Sequence, residues 1–576
     1  AANNGLISIT VSGDGGESIA AGMQAVRGGN IVNGKNIEIT SEGSAYGMMA
    51  VSGANSGSNF TNVESSVINK GNIIITAADT GYGISSAVRG NVSSSGNIQI
   101  NGAGYGIFNQ NGNTETAGSI TVAGTGEKKS YGIYAQATAD EGYGIKNAAD
   151  ITMTFVPEEK EDGSDEEETP PTPPSNYGIY GWNVDIDNSG KIVISQFNEN
   201  AADVFGILSE EAAINNRGEI IVNGNGSAVY ATGADLVNSG ATTLNGNGYV
   251  LIAEDSNLTN SASVTLNGYG YGMIASGGNL INSGTVNLNG SGWGIMVENG
   301  NLTNDKGGNV LINADDQAPV YGLTLAESGY QLDNRADITL TSAAATVTKV
   351  GIGINGNANT VTNTGNIRIG GTGTIFNTAT GIYSNGGTVN NSGVVSLYGG
   401  GSGIYVSDGT LTNAVGGNIA VYAESNTSVY GIQGLNNSTV NNQAQIDISS
   451  TATSTVIPAY GIFGNTTHIT NGGDIKIGDN GNMFIRANGI FAQTGNVSNA
   501  GTIRIYGAGN GIAVNGGNID NQSGGNITMV LNGSADSYGL RLNGAAGAGH
   551  TLTNRAIVKL NRSSTFNDGK KIGGLF

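Results

Sequence analysis

The sequence predicts an all-β chain folded as a right-handed parallel β-helix of about 20 coils, with three short strands per coil and an internal asparagine ladder. Three observations predict it. Asn216, Asn238, Asn260, Asn282 and Asn304 recur every 22 residues. Between them, short alternating strands are separated by turns rich in Gly, Asn and Ser. Of the 576 residues 97 are Gly and only 7 are Pro, with no every-third-residue glycine pattern, which excludes a collagen triple helix. A strand of three to five residues cannot bury its apolar side alone. Stacked on identical strands in the coils above and below, it can.

Each unit opens with an aliphatic residue two positions before the recurring Asn, as at Ile214, Leu236, Leu258, Leu280 and Leu302. In the clearest copies a Gly follows two positions on, as at Gly218, Gly240 and Gly284. An alternating segment such as Val286-Asn287-Leu288 comes next, then a Gly-rich turn, then an aromatic–Gly–aliphatic element such as Trp293-Gly294-Ile295. The register extends upstream through Asn3, Asn33, Asn69, Ser94, Thr116, Asn147 and Asn188, and downstream through Asn334, Asn363, Asn391, Asn413, Asn442, Asn471, Asn499, Asn521 and Asn554. Extra residues in the longer copies lie mostly between the alternating segment and the aromatic element. A leucine-rich repeat has a similar period, but its helix-forming half is missing here. The whole of residues 1–576 reads as one continuous β-helix.

The recurring Asn has a physical role in this geometry. Carboxamides at equivalent positions of successive coils can each donate to the next, which pairs polar groups that would otherwise be buried without partners. The predicted rungs include Asn216, Asn238, Asn260, Asn282, Asn304, Asn334, Asn363 and Asn391. Tyr-Gly followed by Ile, Met or Leu occurs at Tyr46, Tyr82, Tyr105, Tyr131, Tyr143, Tyr177, Tyr271, Tyr321, Tyr430, Tyr460 and Tyr538, which is half of the 22 tyrosines. Phe205 and Trp293 fill the same slot. Two readings stand for these rings: a stripe for stacking sugars, or packing that serves the coil itself.

The pattern breaks most at 156–175, an insertion with five of the seven prolines and a run of acids. Proline and like charges exclude a ladder strand there, so a projecting, Pro-stiffened loop is expected. Glu158, Glu159, Asp162, Asp165, Glu166, Glu167 and Glu168 make it a candidate binding loop for a basic partner or for Ca²⁺, although EF-hand spacing is missing. Smaller departures at 52–60, 128–142, 342–349, 449–457 and 535–550 are further candidate protrusions.

Composition narrows the function. A net charge of −21 disfavours nucleic acid, which asks for a basic footprint. With no Cys, the chain has no disulfides, thiolate metal sites or Cys nucleophiles. The two histidines, His468 and His550, lie about three coils apart, and no Gly-x-Ser-x-Gly elbow accompanies them. Acid pairs at Asp185/Asp187, Asp315/Asp316 and Asp14/Glu17 are the candidates for glycan cleavage, although Asp at a coil corner is also ordinary turn chemistry. The Gly-x-Gly stretches are not phosphate loops, because no helix and no Lys-Ser/Thr follows them. No catalytic, cofactor-binding or metal-ligating residue is therefore assigned.

The repeated Asn-x-Gly-x-Ile strands and the Tyr-Gly-Ile-Tyr tetrads at Tyr131 and Tyr177 resemble the passenger domains of bacterial type V autotransporters. The resemblance implies a piece of a longer passenger, extracellular at the bacterial surface and anchored through a C-terminal outer-membrane β-barrel outside this chain. It implies an adhesin, not an enzyme and without a cofactor: a rigid β-helical rod that attaches to a host-cell receptor protein or glycan, or to copies of itself, causing cells to clump. The other reading the fold allows is a carbohydrate-active β-helix, a polysaccharide lyase or tailspike-like glycosidase using surface carboxylates.

Overall fold

The fold is that of a computed structural model, which describes residues 1–576 apart from 13–17, 27–28, 52–63, 88, 126–127, 139–141, 157–174, 198–202, 452–453, 532–534, 545–548 and 563–569. Every regular element among the described residues is a strand. Two compact units divide the chain, Ala1–Asn279 and Leu280–Phe576, and each is a parallel β-helix.

In the first unit a coil is clearest at residues 258–276. Leu258–Asn260 forms the asparagine face, Val264–Asn267 the alternating face and Gly270–Ser276 the aromatic face. Each strand pairs in parallel with its counterpart in the preceding coil, so that Asn238 and Asn260, Leu244 and Leu266, and Tyr249 and Tyr271 lie side by side. Leu258, Val264, Leu266, Met273 and Ala275 point inward and are fully buried. Burying them removes apolar surface from water at roughly 25 cal/mol per Å², which a lone strand cannot match.

The second unit repeats the plan with one change. In two places the alternating and aromatic strands run together, giving Val395–Ser407 and Ile503–Val514, each paired on both faces, while Ile375–Asn385 and Met483–Ala492 are lengthened aromatic-face strands. Gly399 and Gly401 carry the chain through with φ of 127° and 117°, a region that L side chains avoid.

The asparagine ladder is present in both units. In the first, side-chain bonds run from Asn3 through Asn33 and Asn69 to Ser94, and again from Thr116 through Asn147, Asn188, Asn216 and Asn238 to Asn260. In the second they run from Asn282 through Asn304, Asn334, Asn363, Asn391, Asn413, Asn442, Asn471 and Asn499 to Asn521 and Asn554. Most of the Asn–Asn rungs measure 2.7–2.9 Å, as at Asn216–Asn238 (2.8 Å) and Asn363–Asn391 (2.7 Å). The second amide hydrogen of most rungs goes to the carbonyl two residues on, as from Asn216 to Gly218. Both donors of the carboxamide are thereby used, and the turn that leaves the face is clamped.

In many coils that turn holds glycine for a reason of space. A Cβ at Gly218 would lie 2.0 Å from the Gly190 carbonyl oxygen one coil below, and at Gly393 1.9 Å from that of Gly365. At these two positions the chain approaches itself too closely for a side chain, whereas Ala149, Ala262, Ala336 and Ala444 take the equivalent place in other coils.

Candidate functional site

With the interior occupied by aliphatics and asparagines, chemistry directed at a partner has to come from the outward columns and the corners. On the aromatic face the strand bends. In Gly104–Gln110 two consecutive residues, Gly106 and Ile107, both point inward, which leaves Tyr105 and Phe108 outward on either side of the bend. Their rings meet edge to face at 5.5 Å, so the outer surface there is re-entrant. Gly106 sits at the bend because a Cβ would lie 2.4 Å from Ile120 Cγ2.

Repetition of the bend builds two columns of rings in the first unit. Tyr46, Tyr82, Tyr105, Tyr131, Tyr177 and Phe205 stack with centroids 4.5–5.1 Å apart. Phe108, Tyr134 and Tyr180 stack beside them at 5.2 and 5.1 Å. Both faces of each interior ring are covered by its neighbours, so the stacking that a sugar would need is already taken up by the coils themselves. This favours the packing reading of the tyrosines. Burial pushes the hydroxyls of Tyr82, Tyr105, Tyr131 and Tyr177 above the ordinary phenol range. For Tyr180, burial and then the neighbouring Glu210 carboxylate do the same. In the second unit the stacks are shorter, as at Trp293–Tyr321 and Tyr430–Tyr460. One tyrosine departs from the expected slot: Gly144–Asn147 is an asparagine-face strand, so Tyr143 stands at the corner before that face.

The corners carry a second polar ladder. Asp235 accepts from the backbone N–H of Asn257, and Asn257 from that of Asn279. Asn225 and Asn247 serve Asn247 and Tyr269 in the same way. This outer ladder was not anticipated, although its signal was available: Asp235, Asn257, Asn279 and Asn301 are also spaced by 22 residues.

The candidate acids fall largely into this outer scheme. Asp185 accepts from the N–H of Ala213. Asp187 forms an ion pair with Arg217 at 2.8 Å. Asp316 accepts from the N–H groups of Thr348 and Lys349, and Asp315 from Ser291 Oγ and the N–H of Gln317. Asp185 and Asp187 do lie on the outward side of one strand, Asp185–Asn188, as alternation predicts. Asp185 also lines a groove of about 240 Å³ with Gly142, Tyr143, Asn183, Glu211 and Ala212. Asp14 and Glu17 lie outside the described residues, as do Glu158, Glu159, Asp162, Asp165, Glu166, Glu167 and Glu168 of the acidic insertion.

His468 lines a shallow groove of about 340 Å³ on the asparagine face of the second unit, with Thr470, Asn496, Ser498, Asn518 and Asp520. Asp520 is paired with Arg555 at 2.8 Å, and Asn496 and Asn518 accept from backbone N–H groups of the following coils. Among the described residues no group of three His, Cys, Asp or Glu could hold a metal ion. Among them, too, no helix is long and apolar enough to cross a membrane, an observation that does not bear on β-barrels.

Fold and surface together define a class, a parallel β-solenoid whose outer face carries periodic columns of side chains. No protein-family model, curated protein or solved structure matches the chain.

Proposed function

We propose that the chain is an attachment scaffold displayed outside a bacterial cell, presenting its outward columns to a host-cell receptor protein, a glycan or a second copy of itself. The observation that carries this reading is the use made of the corner acids. Asp185, Asp316 and Asp474 each accept from a backbone N–H of the next coil, so these carboxylates serve coil stacking. The resemblance to autotransporter passengers supports the same reading and supplies the extracellular location, with anchoring through an outer-membrane barrel. A stiff stack of coils with side chains repeated at each step suits attachment through many weak contacts made at once.

A second reading, glycan cleavage, draws on the groove that holds Asp185 with Glu211. One experiment separates the two. The chain is incubated with a panel of neutral and acidic polysaccharides, and new reducing or unsaturated ends are measured. Attachment predicts retention of some glycans with no new ends. Ends that form with the wild-type chain and vanish in Asp187→Asn or Glu211→Gln would establish cleavage instead.

A further inference from the structure

The chain is acidic overall, but the charge is unevenly placed. Residues 471–576 hold nine of the 23 Lys and Arg and only five of the 44 Asp and Glu. The second unit therefore ends in a basic stretch on an otherwise acidic chain.

Register sets three of these cations on one line. On the alternating face Asp447 lies beside Lys476, Lys476 beside Arg504, Arg504 beside Thr528 and Thr528 beside Lys559. All five occupy outward positions, with Arg504 and Lys559 exposed and Lys476 half-buried. Adjacent coils are about 4.8 Å apart, so Lys476 and Arg504 are neighbours and Lys559 stands two steps further on. Lys476 reaches Asp447 at 3.4 Å. Arg504 and Lys559 form no ion pair among the described residues.

This differs from cross-coil pairing elsewhere. Lys191 meets Glu219, Arg217 meets Asp187, Arg335 meets Asp305 and Arg555 meets Asp520. Like charges directly side by side on a sheet destabilise it. A column that sets Lys476 against Arg504 and leaves Arg504 and Lys559 uncompensated costs the scaffold something, and an anionic occupant would offset that cost.

We infer that Lys476, Arg504 and Lys559 form a binding track for a linear acidic polysaccharide, carboxylated or sulfated, lying along the stacking direction of the second unit. The inference rests on the attachment reading and names the ligand class. A line of single cations, one side chain wide, matches a chain that carries its anions in series, whereas an anionic membrane presents a plane. Tyr506, Thr528 and Asn561 share the outward side of the same face and offer hydroxyl and amide groups suited to sugar hydroxyls.

The test measures binding of the full chain to heparin, alginate, neutral dextran, single-stranded DNA and anionic vesicles. Variants are Lys476→Gln/Arg504→Gln/Lys559→Gln and, as a charge-preserving control, Lys476→Arg/Lys559→Arg. Binding to heparin or alginate but not dextran is expected, weakening with salt at a log–log slope of about −2 for three contacts at about −0.7 each. The triple variant should lose about tenfold or more in affinity while keeping its melting temperature, and the arginine variant should retain binding. If the triple variant unfolds, the wild-type salt slope and the arginine variant decide: a slope near zero overturns the track. Equal binding by wild type and a folded triple variant overturns it as well, as does tighter binding to DNA or vesicles than to either acidic polysaccharide. Attachment to cultured cells is measured in parallel. Cell attachment without polysaccharide binding sinks the track and leaves the attachment reading standing. Polysaccharide binding without cell attachment does the reverse.

Discussion

Replacing Asn391 by Leu interrupts the ladder at a fully enclosed rung. Asn391 is 1% exposed. Its Nδ2 donates to Asn413 Oδ1 at 2.8 Å and to the Gly393 carbonyl at 3.0 Å, and its Oδ1 accepts from Asn363 Nδ2 at 2.7 Å. Leucine is of similar size and makes none of these bonds. One Asn363 amide hydrogen still reaches the Gly365 carbonyl, but the other loses its acceptor, and Asn413 Oδ1 and the Gly393 carbonyl lose their side-chain donor. At about 1–3 kcal/mol for each of these three buried groups left unpaired, the cost is about 3–9 kcal/mol. Stability in a stacked array is local and passes between nearest neighbours. The loss should therefore concentrate in Thr388–Asn391 and Thr410–Asn413. Hydrogen exchange reads this directly: amides of those two strands should exchange at least about 30-fold faster, the equivalent of 2 kcal/mol. Amides of His468–Asn471, two coils beyond Thr410–Asn413, should keep wild-type protection. Asn391→Ser should cost less, since Ser94 and Thr116 already serve as rungs through their hydroxyls. A folded Asn391→Leu chain with unchanged exchange in both strands would refute the reasoning.

Two further outcomes follow from the same geometry. Gly393→Ala places a methyl group 1.9 Å from the Gly365 oxygen and should destabilise by several kcal/mol, whereas Gly5→Ala, with nothing within 4 Å, should change melting by under about 1 kcal/mol; thermal melts of the two variants should differ accordingly. The stacked tyrosines set an alkaline limit. Their folded-state pKa lies above the unfolded value of about 10, so their contribution to stability is intact below pH 10 and declines as pH rises past it. Tyrosinate absorbance and circular dichroism, followed together, should show these rings ionising only as the strands are lost. Reversible ionisation of all 22 tyrosines near pH 10 with unchanged dichroism would contradict this.

The repeat itself was legible because each coil must place an Asn, an aliphatic and a Gly at fixed points, so the 22-residue spacing from Asn216 to Asn304 transmits the architecture directly. The asparagine rungs could be named for the same reason. Three features were hidden. The bend at Gly106 depends on two successive inward residues, which alternation does not predict, and it brings the outward rings of Tyr105 and Phe108 edge to face. The position of Tyr143 shows the limit of a tripeptide: the same Tyr-Gly-Ile serves another face when the flanking register places it there. The basic column emerges only from register, because Lys476, Arg504 and Lys559 stand 28 and 55 residues apart and fall on one line through unequal coil lengths. Site chemistry was least legible because an Asp at a coil corner looks the same whether it receives a backbone N–H or a ligand.

The most direct test of the account couples the full chain to inert beads and counts beads bound to cultured cells, and bead-to-bead clusters, against beads carrying an unrelated protein of equal net charge. The account predicts attachment, clustering or both, well above the control and without chemical change to any surface glycan. Coated beads that behave as the control does, or that release sugar fragments from the cells, would contradict it.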